Sequence, residues 1–260
     1  NGTCDFTPTG TVATVERVLT PKELQVNLDL CKKDFRSDWE AVSMGYSAFD
    51  QLPKTFADFL IAHMGAKIAE ATENNIWTTA AGAGAFSSFS QIVAADAALP
   101  AAQEVAGTTV TASNVITELG KIADAIPSTL YGREDLHIYI PQNIARAYVR
   151  ALGGFGASGL GSNGVQGQGT MWYNGMPELN FDGIKLFVAN GLASNKAIAT
   201  TKDNLWFGTG LLNDQNEVRV LDMADIDGSQ NVRFVMRYTA GVQYGVVEDI
   251  VTYGITNGEN

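Results

Sequence analysis

The sequence predicts an α+β fold in which strands from both ends of the chain meet in one sheet beside a long helix. Three observations support this prediction: a strictly alternating segment at 24–31, a long apolar stripe of helical spacing at 55–77, and a run of strand-like segments from 184 to 253. Strands, helices and strands follow one another in blocks, and this order favours α+β over an alternating parallel α/β fold.

The segment 11–31 is expected to be extended. In its second half four apolar residues alternate with polar ones: Leu24, Val26, Leu28 and Leu30. This period of two is typical of a half-buried strand. The valines of 12–18 are placed on its partner strand, and Thr20, Pro21 and Lys22 form the turn between the two strands.

The strongest helix is predicted over 55–77. Its stripe consists of Phe56, Phe59, Leu60, Met64, Ile68, Ala71 and Ile76. Thr55 and Asp58 resemble a capping box after Pro53. At 1.5 Å per residue this helix is a rod of about 35 Å. Three shorter helices are predicted over 35–42, 113–126 and 142–152.

The remaining segments are predicted to be strands and loops. Residues 79–110 are expected to form loops and short strands, and the glycine-rich residues 153–169 a flexible loop. Short runs of β-branched and aromatic residues predict strands at 136–140, 184–189, 196–200, 205–207, 218–221, 232–238 and 242–253.

Composition excludes several classes of protein. The chain has 28 acidic and 17 basic residues and a net charge of −11, which argues against specific nucleic-acid binding. Its two cysteines, Cys4 and Cys31, provide neither a disulfide framework nor a four-ligand zinc site, and we expect free thiols. No segment approaches the ~18 apolar residues of a membrane span, so no membrane partner is expected.

Three glycines at 154–159 match the GxGxxG pattern of dinucleotide sites. That pattern needs a preceding strand and a following helix, whereas a predicted helix precedes it here. Asp222, Asp225 and Asp227 suggest a calcium loop, but Met223 and Phe234 occupy positions where an EF-hand needs acids. A flexible loop and a solvated turn are the simpler interpretations.

Catalytic patterns are equally weak. His63 and His137 have no second histidine nearby, and a hydrolase triad would need partners that sequence does not reveal. Glu70 and Glu73 lie three residues apart on one helix, where a solvated face is expected. We therefore expect no catalytic, cofactor-binding or metal-ligating residues, while an unrecognised α+β enzyme remains an alternative.

An ordered set of segments carries a resemblance to a known family. The set consists of LTPKELQVNLDLCKKDF at 19–35, Trp39, Met44-Gly45, Leu52-Pro53, ENNIW at 73–77, TASNV at 111–115, Lys121 with Ile126-Pro127, and the strands at 233–253. Together they resemble the major capsid proteins of crAss-like phages. The resemblance covers most of the chain, and the order of the segments is more specific than any single one.

The resemblance implies a Hong Kong 97-type capsid fold. It implies an N-terminal arm and extended loop at 1–48, a peripheral domain with a spine helix at 49–112, an axial domain at 113–223, and closing peripheral strands at 224–260. The implied function is structural and not enzymatic: hexamers and pentamers of one chain form the icosahedral head of a tailed phage around double-stranded DNA. An encapsulin-like nanocompartment shell is the alternative.

Implied partners are other copies of the chain, with portal, scaffold and cement or head-fiber proteins, and packaged DNA in non-specific contact. The implied location is the virion capsid, with the host cytoplasm during assembly. Because an isolated two-stranded arm cannot bury its apolar side chains in water, some are expected to pack on a neighbouring subunit. The candidates are Leu24, Val26, Leu28, Leu30, Phe35 and Trp39. Packing back onto their own subunit is the alternative.

Overall fold

The computed structural model describes residues 16–31, 54–152, 179–210 and 218–255 of the chain. Ten strands lie within these residues: β1 (Lys22–Cys31), β2 (Glu104–Val105), β3 (Leu136–Ile140), β4 (Leu179–Phe181), β5 (Ile184–Val188), β6 (Ala197–Thr201), β7 (Leu205–Gly208), β8 (Val218–Asp222), β9 (Asn231–Tyr244) and β10 (Val251–Tyr253). Five α-helices lie there too: α1 (Lys54–Trp77), α2 (Phe89–Ala95), α3 (Val115–Asp124), α4 (Gln142–Leu152) and α5 (Ala224–Asp227). The short helix expected at 35–42 and the glycine-rich loop at 153–169 lie outside the described residues.

A four-stranded antiparallel sheet forms around β9. β1 pairs with β9 along one side, while β8 and then β7 pair with it along the other. The first and last parts of the chain therefore share a sheet, as the sequence predicts. The strand observed beside β1 is β9, whereas the sequence placed the valines of 12–18 there; residues 16–21 are irregular, and residues 12–15 lie outside the described residues.

The predicted break between the strands 232–238 and 242–253 is also wrong. β9 runs without interruption to Tyr244, because β1 holds it up to Ala240 and β7 holds it from Gly241 onward. Gly241 lies against the backbone of Thr20 and Pro21, where an added Cβ would come within 3.1 Å of both. Gly241, which lies in the gap between the two predicted strands, therefore serves a close backbone approach within an extended strand.

A six-stranded mixed sheet has the order β2-β10-β6-β3-β5-β4. Side chains of the central strand β3 alternate between its two faces. Ile138 and Ile140 pack with α3 and α4 in one core, whereas Tyr139 belongs to a second core that contains Phe89 and Tyr244. The six-stranded sheet thus separates a helix-covered core from a core shared with the four-stranded sheet.

The helices predicted at 55–77, 113–126 and 142–152 correspond to α1, α3 and α4. The stripe of α3 is buried as expected, with Val115, Leu119 and Ile122 at 1% exposure or less. Helix α2 falls within the 79–110 segment expected to lack helices. The Ser88 hydroxyl accepts a hydrogen bond from the Gln91 N–H at its start, and Phe89 and Val93 are buried one turn apart. A helix this short and rich in alanine and serine carries little periodic signal.

Helix α1 is held to the rest of the chain at its C-terminal end. Trp77 is 6% exposed, and its ring centroid lies 5.6 Å from that of Phe89 and 5.0 Å from that of Tyr139. Among the side chains of α1 that the structure describes, Asn75 and Trp77 are the buried ones, and Ile61 is 37% exposed. The described contacts therefore anchor the C-terminal end of the helix.

Candidate assembly surfaces

The apolar face of the four-stranded sheet contains most of the residues predicted to meet a neighbour. Leu24, Val26, Leu28 and Leu30 lie directly opposite Tyr238, Met236, Phe234 and Val232 on β9. Directly opposite residues point to the same side of an antiparallel sheet, so these eight side chains form one face. Helix α1 reaches this face where the Thr72 Oγ1 lies 3.3 Å from the Tyr238 hydroxyl.

Burial differs along this face. Leu24 is 4% exposed and belongs to the core of its own chain. For this residue the alternative therefore holds, namely packing within its own subunit. Val26, Leu28 and Leu30 are only half-buried within the single chain. Phe35 and Trp39 lie outside the described residues. The expectation that a neighbour covers this face therefore remains a prediction for Val26, Leu28 and Leu30.

The opposite face of the same sheet is polar. Gln25 and Asp29 on β1 lie directly opposite Arg237 and Arg233 on β9. An Arg233 Nε–Asp29 Oδ2 contact of 3.5 Å joins one of these pairs. The side chains line an open groove of about 420 Å³. Sequence alternation predicts a polar face on β1, but the arginines become part of it only through the pairing with β9.

A second cleft, of about 740 Å³, lies beside the segment that precedes β1. The Arg17 guanidinium nitrogen Nη2 lies 2.6 Å from Asp96 Oδ2, and the Tyr244 hydroxyl donates to the same oxygen at 2.5 Å. The guanidinium also lies over the Tyr244 ring, 4.4 Å from its centroid. These contacts fasten the residues before β1 to the end of α2 and to β9.

Partial burial alone would raise the pKa of Asp96. Hydrogen bonds from the Tyr244 hydroxyl, the Ala98 N–H and Arg17 outweigh that effect and hold this pKa below its ordinary value. Burial and the neighbouring Asp96 raise the pKa of the Tyr244 hydroxyl, which remains a proton donor. A carboxyl with a lowered pKa stabilises the fold above its ordinary pKa, and this contribution is lost as the pH falls through the folded value.

We therefore expect Asp96→Asn to lower the free energy of unfolding by about 1–3 kcal/mol at neutral pH, because a charged hydrogen-bond acceptor is lost. The difference between the two proteins should shrink as the pH falls below about 4, where the carboxylate itself becomes protonated. Urea unfolding at a series of pH values measures it. Asp124→Asn, on an exposed site of α3, is the matched control. A difference that does not change with pH would contradict the assignment.

A buried carboxylate, missed at the sequence level, connects α3 to β10. Glu118 is 6% exposed and accepts hydrogen bonds from the Lys121 Nζ and the Tyr253 hydroxyl, each at 2.8 Å. Burial would raise its pKa, but these donors outweigh burial and lower it. Tyr253 is fully buried, while Lys121 is about half exposed at the edge of the group. The contacts of Glu118 give it a structural role.

The other residues weighed for chemistry have local partners. His137 Nδ1 lies 2.8 Å from the Asp135 carbonyl oxygen. Glu73 accepts a hydrogen bond from the Trp77 Nε1 at 2.9 Å, whereas Glu70 pairs with Lys67, so the two glutamates do not act as a pair.

The aspartates of the suspected calcium loop also have local roles. Asp222 and Asp227 accept hydrogen bonds from the backbone N–H groups of Ala224 and Ser229, which is the pattern of a capped turn. Within the described ranges, no cluster of three or more His, Cys, Asp or Glu side chains could hold a metal ion. The GxGxxG segment lies outside those ranges. None of the described helices is both long and apolar enough to cross a membrane.

No protein-family model matches the chain, and no curated protein matches it at a significant level. Solved structures do match. A chain of the satellite phage P4 procapsid that includes size determination (Sid) protein has a TM-score of 0.59 at 10% identity, over 98% of this chain and 76% of that chain. The capsid of an empty GTA particle gives 0.57 at 14% identity, over 98% and 81%. A chain of Mycobacterium phage Ogopogo gives 0.53 at 12% identity, over 95% and 83%.

At such low identities the likeness concerns the fold alone, and it extends over nearly the whole chain. The mixed arrangement of helices and sheets described above is therefore the fold of phage capsid proteins.

Proposed function

We propose that this chain is the major capsid protein of a tailed bacteriophage with a Hong Kong 97-type fold. In this proposal, copies assemble as hexamers and pentamers into an icosahedral head around double-stranded DNA. The observation that carries it is the likeness to the P4 procapsid and GTA capsid chains over 98% of this chain. The sequence resemblance to crAss-like phage capsid proteins supports the same function by a separate route.

The proposed domains have partial support in the packing. The core formed by α3, α4, β3, β5 and β6 draws these elements from 113–223, as expected for an axial domain. Several strands cross the proposed boundaries. β2 and β10, from the peripheral segments, join the six-stranded sheet, and β7 and β8, from 113–223, join the four-stranded one. The arm at 1–48 meets the closing segment at 224–260 where β1 pairs with β9, and α1 of the segment 49–112 reaches β9 at Tyr238.

The surface of the single chain also suits assembly. Most of the described side chains of helix α1 from Ile61 to Ala71 are exposed, and the apolar face of the four-stranded sheet is only half covered along Val26, Leu28 and Leu30. Groups of this kind gain stability when a neighbour covers them. In a shell, symmetry surrounds each subunit with such neighbours within the layer. Many modest contacts then add up to a stable assembly.

The experiment is to express the full chain and measure particle mass by light scattering over a range of concentrations. We expect assembly into capsomers or closed shells with a sharp dependence on concentration. Nuclease-resistant DNA within particles made in phage-infected cells supports a phage head, whereas a protein cargo supports the encapsulin-like alternative. A chain that remains a folded monomer at every concentration contradicts both.

A further inference from the structure

The polar groove on the four-stranded sheet faces away from helix α1. Helix α1 contacts the other face through Tyr238, which lies opposite Leu24. Gln25, Asn27 and Asp29 alternate with the apolar residues of β1 and point outward. The groove is therefore open to solvent in the single chain and is shaped by two long paired strands.

Arginine dominates the positive charge of this face. Arg233 and Arg237 lie on β9, and Arg219 on β8 lies opposite Val235 on the same side. Lys22, on β1, alternates with Glu23 and therefore lies on the apolar side of the sheet. Protein interfaces are enriched in arginine and depleted in lysine, because the flat guanidinium forms several directed hydrogen bonds at a small entropic cost.

Arg237 has the chemistry to bind a further carboxylate. Arg233 already lies 3.5 Å from Asp29, and both side chains of that pair are about half exposed, at 50% and 48%. Arg237 is exposed opposite the neutral Gln25 and forms no ion pair with any residue in the described part of the chain. A guanidinium binds a carboxylate through two parallel hydrogen bonds, and a glutamine amide beside it adds another donor.

We infer that this groove binds an acidic segment of a second copy of the chain, with the Arg237 guanidinium holding a carboxylate. The inference rests on the proposed function, because the second copy is the neighbour in the shell. Charge complementarity identifies the occupant: with 28 acidic and 17 basic residues, every copy offers carboxylates. A local arginine face gives neighbours that otherwise repel one another a defined point of attraction.

A protein segment fits the groove better than the phosphate backbone of DNA. Asp29 lies on the same face, and Glu23 has the same register. A short segment can bring a single carboxylate to Arg237, whereas the regular row of phosphates on a duplex would also have to lie against Glu23 and Asp29. The half-buried Val235 forms part of the groove and offers an apolar contact that suits a peptide side chain. The net charge of −11 further repels DNA at long range.

The test compares Arg237→Glu with Arg146→Glu in the full chain. Both substitutions make the same change in net charge at exposed arginines, but Arg146 lies on α4, away from the groove. We expect Arg237→Glu to raise the concentration needed for assembly about tenfold, and Arg146→Glu to change it less than about twofold. Arg237→Lys should restore part of the assembly. Circular dichroism and thermal melting of each unassembled variant verify folding.

Four results would overturn the inference, and they are distinguishable. If Arg237→Glu assembles like the unsubstituted chain, the groove is not part of the interface, and the proposed shell function is unaffected. The same holds if both charge reversals weaken assembly equally, since net charge then explains the effect. An unsubstituted chain that stays monomeric contradicts the shell function together with the groove. Binding of a labelled DNA duplex, measured by fluorescence anisotropy and lost in Arg237→Glu with assembly unchanged, would assign the groove to DNA instead.

Discussion

Replacing Trp77 with alanine is expected to lower the free energy of unfolding by about 3–5 kcal/mol. Trp77 is 6% exposed at the anchored end of α1, it contacts the rings of Phe89 and Tyr139, and its Nε1 donates to Glu73 at 2.9 Å. The substitution leaves a cavity where α1, α2 and the six-stranded sheet meet. Urea unfolding followed by circular dichroism measures the loss.

Trp206→Ala is the matched control for this substitution. Trp206 lies on β7 and is 62% exposed, so the same chemical change should shift the stability of the unassembled chain by no more than about 0.5 kcal/mol. Equal losses for the two tryptophans would show that Trp77 does not anchor α1. Because most of the described side chains from Ile61 to Ala71 are exposed in the single chain, Trp77→Ala should also increase proteolytic cleavage within α1.

Gly191→Ala is expected to destabilise the chain by about 2–4 kcal/mol, an effect of the size that overpacking produces at a rigid contact. An added Cβ would lie 2.2 Å from the Glu73 carbonyl oxygen and 2.9 Å from the Asn74 nitrogen, both of them backbone atoms of α1. Thr78 closes the same contact, since its hydroxyl donates to the Gly191 carbonyl oxygen at 2.7 Å. Neither side can move without disturbing the end of the helix.

Gly65→Ala tests whether that loss arises from the close contact and not from glycine replacement in general. Gly65 lies within α1 with no atom within 4 Å of an added Cβ, so alanine should raise stability by about 0.5–1 kcal/mol through helix propensity. Opposite signs for the two substitutions, measured by thermal or urea unfolding, are the expected result. Destabilisation by both, to the same extent, would contradict the contact.

Local patterns in the sequence predicted those elements whose signal is periodic. The apolar stripe predicts α1 to within one residue, and the alternation of leucines and valines predicts β1 and its apolar face. Helix α2 was missed because it is short and its burial depends on Trp77 and Tyr244, which lie elsewhere in the chain. The continuity of β9 was missed because it depends on two other strands, β1 and β7, which hold β9 on either side of the gap between the predicted strands.

The candidate surfaces likewise depend in part on residues that are distant in the sequence. The polar side of β1 is visible in the alternation, but Arg233 and Arg237 join it through pairing with a strand some two hundred residues later. The buried Glu118 could not be recognised from sequence, because its Tyr253 partner is 135 residues away. Its spacing from Val115 and Ile122 places Glu118 on the apolar face of the helix, but a charged residue there gives no sign of which distant group will pair with it.

The most direct test of the shell-forming role is electron microscopy of particles formed by the purified full chain. We expect closed shells built from clusters of six and five subunits, in which neighbouring copies cover the half-buried apolar face at Val26, Leu28 and Leu30. A folded chain that forms no particles at any concentration, alone or when co-expressed with neighbouring genes, would contradict the proposed shell-forming role.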